Sequence, residues 1–284
     1  MLFRSRTENL YLRLDGWPDE QVQHEEYAAA VKAAKGRPVT FRTLDLGGDK
    51  RLGDLADEAN PFMGYRAVRL CLERPDVFRP QLRALIRAAA HGPVQVMFPM
   101  ISGVEELRRA KEIFRDVEAE LAREGVRPAG PIRLGAMIEI PSAAAVADEL
   151  AAEADFFSVG TNDLVQYLLA VDRGNQRVAS LYEPCHPAVV RTLVAIFGAA
   201  RQRGIPAAVC GELGGDPLWA PLLVGLGVRE LSMSPAALPE VRFVLRHSAS
   251  AELRELAAKV VASADAAKTR GLLQDFAAAK LKLR

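Results

Sequence analysis

GAMIEIPSA (residues 135–143) and FFSVGTNDL (residues 156–164) are the stretches on which the reading of this chain turns. Each is an apolar run, rich in β-branched or aromatic residues, that stops abruptly at polar groups: Glu139 in the first, Thr161, Asn162 and Asp163 in the second. A parallel strand covered on both faces reads as a near-continuous hydrophobic run, and such sheets carry their chemistry at the carboxyl ends of the strands. Two acids at successive strand ends, separated by a helix, suit one shared hard cation. Mg²⁺ takes oxygen ligands, commonly one or two carboxylates, with substrate phosphates and water completing its shell. That combination points to phosphoryl chemistry.

Outward from these stretches, the same alternation recurs. Strand-like runs are predicted at residues 10–14, 39–46 (VTFRTLDL), 67–72, 94–100 (VQVMFPM), 134–140, 156–160, 207–210 and 230–234. Between them, residues 105–120, 143–154, 187–203 and 218–226 carry apolar side chains at three- and four-residue steps, and residues 251–283 form a further helical region rich in Ala, Lys and Glu. About eight strands alternating with helices predict an α/β fold with a parallel sheet closed as a (β/α)8 TIM barrel. An open doubly wound sheet also fits the alternation. No low-complexity segment or Pro/Gly linker divides the chain, so residues 1–284 are expected to form one domain. The stretch 47–64, with GGDK, several acids and NPF, has turn formers and little periodicity, as a functional loop on the site face would.

Composition narrows the classes. Lysines and arginines number 37 against 36 acids, so no global field recruits nucleic acid or an anionic membrane. Half the residues are hydrophobic, enough for a sizeable core, yet no apolar run reaches the length of a membrane span. The first 15 residues include Arg4, Arg6, Glu8 and Arg13 and make a poor signal peptide. Three cysteines, Cys71, Cys185 and Cys210, are too scattered for a disulfide framework or a zinc cluster. A soluble, reduced, cytoplasmic protein is expected.

Each candidate residue has a bland reading beside the functional one. Glu139 alone could be a solvated strand-end acid, and Asp163 alone an N-cap for the helix that follows it; their joint placement favours a metal. The same helix start offers amide donors and a positive dipole end, which makes the Asn162 backbone N–H a candidate anion ligand. Arg42 lies in an otherwise apolar strand run, Arg66 follows NPFMGY, and Arg173 follows AVD. Guanidinium groups bind phosphate and carboxylate with a forked geometry that lysine lacks. Structural ion pairs with Asp45 for Arg42 and Asp172 for Arg173 are the bland alternatives. Cys210, in AAVCGELGGDP, sits at a predicted strand end where a thiol can give or take a proton. Cys71 and Cys185 read as inert, and His186, between two prolines in PCHP, as a turn residue. Lys50 could join an anion pocket or stay solvated. Neither GGDK nor GELGGD matches a nucleotide-binding fingerprint.

Taken in order, RTLDLGGDK, NPFMGYRAVRL, VMFPMI, MIEIPSA, DFFSVGTNDLVQYLLAVDRGN, VCGELGGDP and ELSMSP resemble the C-terminal domain of enzyme I, the phosphoenolpyruvate–protein phosphotransferase of the bacterial sugar phosphotransferase system. The resemblance covers nearly the whole chain, from LFRSRTENLYL onward. Pyruvate phosphate dikinase and phosphoenolpyruvate synthase share several of these motifs; AVDRGN and GELGGDP favour enzyme I. The resemblance implies a dimerising TIM barrel that binds phosphoenolpyruvate (PEP). It implies Glu139 and Asp163 as Mg²⁺ ligands, with Arg42, Arg66, Arg173 and the Asn162 backbone holding phosphate and carboxylate. Cys210 would protonate the enolate carbon to give pyruvate. In the family the phosphoryl acceptor is a histidine of an N-terminal domain, which then passes the group to a phosphocarrier protein. His24, His91, His186 and His247 lie in no Gly-rich phosphohistidine motif, so that domain is expected to be absent from this sequence. A dikinase- or synthase-like barrel, a Mg²⁺-dependent lyase or aldolase, and a PEP-sensing dimerisation module are the competing readings.

Overall fold

The computed structural model describes residues 3–47, 52 and 58–282, with the side chains of residues 3 and 4 left aside. The fold is α/β: among the described residues, seven parallel strands follow in chain order. Contacts group the chain into two units, residues 1–137 with 153–155, and residues 138–152 with 156–284.

The first unit opens with β1 (Phe3–Arg6), α1 (Glu8–Leu14), α2 (Glu20–Ala33) and β2 (Val39–Arg42). It continues through α3 (Val68–Glu73), α4 (Pro75–Ala88), β3 (Val94–Phe98), α5 (Val104–Arg123) and β4 (Arg133–Ile138). β1 pairs with β2, β2 with β3, and β3 with β4, all in parallel. Asp19 starts α2 by accepting the Val22 N–H at 2.8 Å, and Pro75 stands at the first position of α4, where a missing N–H costs nothing. α4 turns Val77, Phe78, Leu82, Leu85 and Ile86 inward and packs on α2. A buried polar knot ties these helices to the end of β2. Gln81 donates to Thr7 Oγ1 (3.1 Å) and to the Tyr27 hydroxyl (3.3 Å), and its carbonyl accepts the Leu44 N–H (2.8 Å). Thr7 Oγ1 donates in turn to the Arg42 carbonyl at 2.8 Å. The backbone around Arg42 is therefore held from two sides.

The second unit carries α6 (Pro141–Ala145), most of α7 (Ala147–Glu153), β5 (Phe157–Gly160) and α8 (Thr161–Leu169). α9 (Pro187–Arg203), β6 (Ala207–Cys210), α10 (Trp219–Gly225), β7 (Glu230–Leu231), α11 (Leu238–Arg246), α12 (Ser250–Val261) and α13 (Ala266–Leu281) complete it. β5 and β6 pair in parallel from Phe157 opposite Ala207 to Gly160 opposite Cys210. That register brings the end of β6 beside the start of α8. α9 is bounded by its own sequence: the His186 ring accepts the Ala188 N–H at 3.1 Å, and Gly204, at φ 69°, ends the helix. α12 and α13 are tied by Lys280, which donates to the Glu252 carboxylate at 2.7 Å.

Several sequence expectations need correction. Residues 10–14 are the end of α1, not a strand; the first strand is Phe3–Arg6. Residues 67–72 fall in α3, with Val68, Leu70 and Cys71 buried. A short apolar run has no period that separates a buried strand from a buried helix, and here the helix won. The single helix expected over 143–154 breaks at Val146, and the tail forms two helices separated at 262–265. α2, α4 and α11 were not singled out. Most of the loop 47–64, Lys50 included, lies outside the described residues.

Candidate active site

The first unit holds a chain of buried charges at the end of β2. Arg42 pairs with Glu8 and, at 2.9 Å, with Asp45 Oδ2. The other oxygen of Asp45 accepts from Arg66 at 2.8 Å through Nη2 and at 3.3 Å through Nε. Arg66 also lies over the Phe62 ring, 5.9 Å from its centroid. Glu8, Asp45 and Arg66 are buried, a costly state for any one of them alone. Two guanidinium groups share one carboxylate, which fixes both forks while the summed charge of the four side chains cancels. The structural partner expected for Arg42, Asp45, is thus real, and it serves Arg66 as well.

The second unit builds its cluster from β4's continuation, β5, α8 and β6. Glu139, 2 % exposed, lies against Gly160; a Cβ added at Gly160 would stand 2.9 Å from the Glu139 Cβ and collide with its carboxylate. Glycine is required there by close approach. α8 starts at once, so Thr161, Asn162 and Asp163 form its first turn, where backbone N–H groups have no helical acceptor. Asp163, 7 % exposed, pairs with Arg173 at 3.3 Å. The alternative partner, Asp172, instead closes a turn by accepting the Gly174 N–H at 2.8 Å. Arg173 Nη1 is buried and has no hydrogen-bond partner among the described residues, although the Arg173 N–H donates to Gln166 Oε1 at 3.2 Å.

Cys210 ends β6 and is partly exposed. Its Sγ accepts from the Ser158 hydroxyl at 3.1 Å and donates to the Val159 carbonyl at 3.4 Å. Thr161 Oγ1 donates to the Cys210 carbonyl at 3.0 Å. Gly211 follows at φ 100°, a conformation that favours glycine, and a Cβ there would meet Thr161 Oγ1 at 2.6 Å. The Asn162 side chain clasps the next residue: its Oδ1 accepts the Glu212 N–H at 2.9 Å and its Nδ2 donates to Glu212 Oε1 at 3.4 Å. The expected group of Glu139, Asn162, Asp163, Arg173 and Cys210 is therefore gathered within one unit, while Arg42 and Arg66 share the other cluster. Burial pushes the Cys185 thiol up to about 11 and raises Cys71 further, in line with inert cysteines. His186 is a helix cap.

Sequence reasoning passed over Glu8, Ser158 and Tyr182. Ser158 had left a signal, a hydroxyl inside the buried run FFSVG, where a polar group requires a partner. Tyr182, whose hydroxyl donates to the Asn162 carbonyl at 3.2 Å, sits in LYEPCHP and left none.

A divalent cation can be tested against this donor set. Glu139 and Asp163 offer only hard oxygen atoms, and no cluster of three or more His, Cys, Asp or Glu suited to a metal occurs among the described residues. Two carboxylates, with substrate and water supplying the rest, match the habits of Mg²⁺ rather than those of zinc. The residues fit.

The family described as PEP-utilising enzyme, PEP-binding domain, matches residues 3–250. The chain belongs to that family. Members similar to this PEP-binding domain include the phosphoenolpyruvate-protein phosphotransferase of Staphylococcus carnosus, 46 % identical over 273 residues, covering 95 % of this chain and 48 % of the relative. That of Priestia megaterium is 47 % identical over 250 residues, covering 87 % of this chain and 44 % of the relative. The PEP-binding domain spans about half the length of these relatives. Among solved structures, a citrate lyase from Burkholderia xenovorans aligns at 15 % identity and TM-score 0.49, over 100 % of this chain and 92 % of that one, a likeness too loose to bear on function.

Proposed function

We propose that this chain binds PEP with Mg²⁺, hands its phosphoryl group to a histidine of a separate carrier domain, and releases pyruvate. Arg42, Arg66 and Arg173, together with the Asn162 N–H, bind and orient the phosphate and carboxylate. Glu139 and Asp163 hold the Mg²⁺, which when bound neutralises anionic charge as the phosphoryl group departs. Breaking the P–O bond leaves the enolate of pyruvate. Cys210 then gives its Sγ proton to the enolate C3; a C–H bond forms, the S–H bond breaks and its electron pair stays on sulfur. The Ser158 hydroxyl, already donating to that sulfur, steadies the thiolate. The observation that carries this reading is the union, in one unit, of a thiol, two buried carboxylates and an arginine with a buried, unsatisfied N–H edge.

The same reading completes the parallel α/β arrangement as a (β/α)8 barrel forming a single PEP-binding domain. It makes the protein a cytoplasmic homodimer that feeds sugar uptake through a phosphocarrier protein. Calorimetric titration with PEP, first with Mg²⁺ and then with excess chelator, tests the core of it. The range should extend past about 1 mM, the upper end of ordinary Michaelis constants. Binding that requires Mg²⁺ is expected; absence of binding in both conditions overturns the substrate assignment. For the proton donor, exchange of the pyruvate methyl hydrogens with deuterated solvent should occur in the wild type and fall at least about 100-fold in Cys210→Ala, the lower range for a positioned acid or base.

A further inference from the structure

Tyr182 lies on the segment that joins α8 to α9, and its phenol reaches back to the first turn of α8. Its hydroxyl donates to the Asn162 carbonyl at 3.2 Å, and the Arg173 guanidinium lies against the phenol oxygen. The segment is otherwise held by its own short turns: Asn175 on Asp172, Val178 on Asn175, and the Tyr182 N–H on the Ala179 carbonyl. The phenol oxygen is thus the tie between the part of the chain that carries Arg173 and the part that carries Asn162 and Asp163. The Asn162 carbonyl shares a peptide plane with the Asp163 N–H, so a bond to that carbonyl fixes the orientation of a first-turn amide. Glu212 immobilises the Asn162 side chain from the other side.

We propose that Tyr182 is a positioning residue, whose phenol oxygen bridges the Arg173 guanidinium and the Asn162 carbonyl and so fixes the anion-binding geometry around the first turn of α8. The proposal rests on the PEP reading above for the identity of the ligand. Arg173 has one edge on Asp163 and a buried Nη1 with no hydrogen-bond partner among the described residues. The phenol keeps the remaining freedom of the guanidinium small, so that Nη1 stays aimed rather than swinging away to solvent. Burial pushes the Tyr182 hydroxyl up to about 12, against the opposing pull of Arg173, so it remains an O–H donor through the neutral range.

Tyr182→Phe removes the oxygen and keeps the ring. With Mg²⁺ present, the variant is expected to bind PEP about tenfold more weakly, the loss of one hydrogen bond to a charged group, while its melting temperature stays near that of the wild type. Arg173→Ala should weaken binding further, and adding Tyr182→Phe to it should change affinity less than about twofold, because residues in contact are not additive. Unchanged affinity in Tyr182→Phe, or full multiplication of the two effects, overturns the bridge. A separate arm does not depend on PEP. In nitrogen-labelled protein, the Arg173 Nε–H and Asp163 amide resonances should move in Tyr182→Phe while those of α2 and α4 stay fixed; if the site resonances do not move, the bridge is absent. Should the wild type fail to bind PEP while these resonances still shift, the substrate assignment falls and the positioning role stands.

Discussion

At the scale of single residues, Gly160 is the sharpest test. A methyl group there collides with the Glu139 carboxylate, so Gly160→Ala should leave a folded chain with a displaced metal ligand. Binding of Mn²⁺, followed by its spin resonance as a probe for Mg²⁺, is expected to weaken by a factor of ten or more, the usual scale for disturbing a ligand's support. Unaltered Mn²⁺ affinity would remove Glu139 from the metal shell. His24 gives a second prediction. Burial first, then the Arg87 guanidinium, lowers its pKa from the ordinary value, so the fold prefers the neutral ring; the Ala84 carbonyl pulls the other way, and His91 and Lys32 add to the lowering. Below about pH 6.5 the unfolded chain takes up a proton that the folded ring resists. Stability from this group is therefore full above that pH and declines as pH falls through it. His24→Gln should flatten the dependence of the urea midpoint on pH between about 5 and 6.5. The residues that were legible in sequence, Glu139, Asp163 and Cys210, announce themselves by ending apolar runs. Tyr182 was not legible because its role depends on a contact twenty residues away, across a segment without period.

At the scale of elements, the clearest ties are ionic. Glu20, at the start of α2, accepts from Arg83 at 2.6 Å and from Arg87 at 2.7 Å on α4, and Arg83 also reaches Glu124 beyond α5 at 2.7 Å. These side chains are partly solvated, and such pairs contribute a few tenths of a kcal/mol each. Glu20→Ala is expected to cost about 1 kcal/mol in urea unfolding at low salt, because it releases two partners, and less at high salt. Beneath them, Leu85→Ala should cost about 3 kcal/mol at any ionic strength, since it empties a fully buried site. Sequence reading succeeded for elements with explicit punctuation. α9 was expected at residues 187–203 and occupies them, because Pro187 opens it and Gly204 closes it. It failed where punctuation was missing: residues 67–72 lie behind Ala67, which adopts φ 55° and carries no glycine to warn of a turn. Pro80 inside α4 likewise disguised a helix that the fold tolerates.

At the scale of the whole molecule, near-neutral charge and partial coverage of its relatives set the expectation. A chain spanning about half of each relative should need its acceptor from outside. Labelled PEP incubated with the chain alone should leave no stable label on protein. Adding a histidine-bearing N-terminal domain from a close relative should place the label on that domain, and absence of label in every mixture would argue against transfer. Function here also has a reach that the site residues do not disclose. Arg270, on α13, pairs with Glu183, the neighbour of Tyr182, and Glu183 in turn accepts the Cys185 N–H at 2.8 Å. A harmless-looking edit in the last helix would then surface as a binding defect with every ligand residue intact. Surveys that score variants by distance from the chemistry would file such a change as neutral, and engineers fusing partners to that end of the protein would be altering the catalyst unawares.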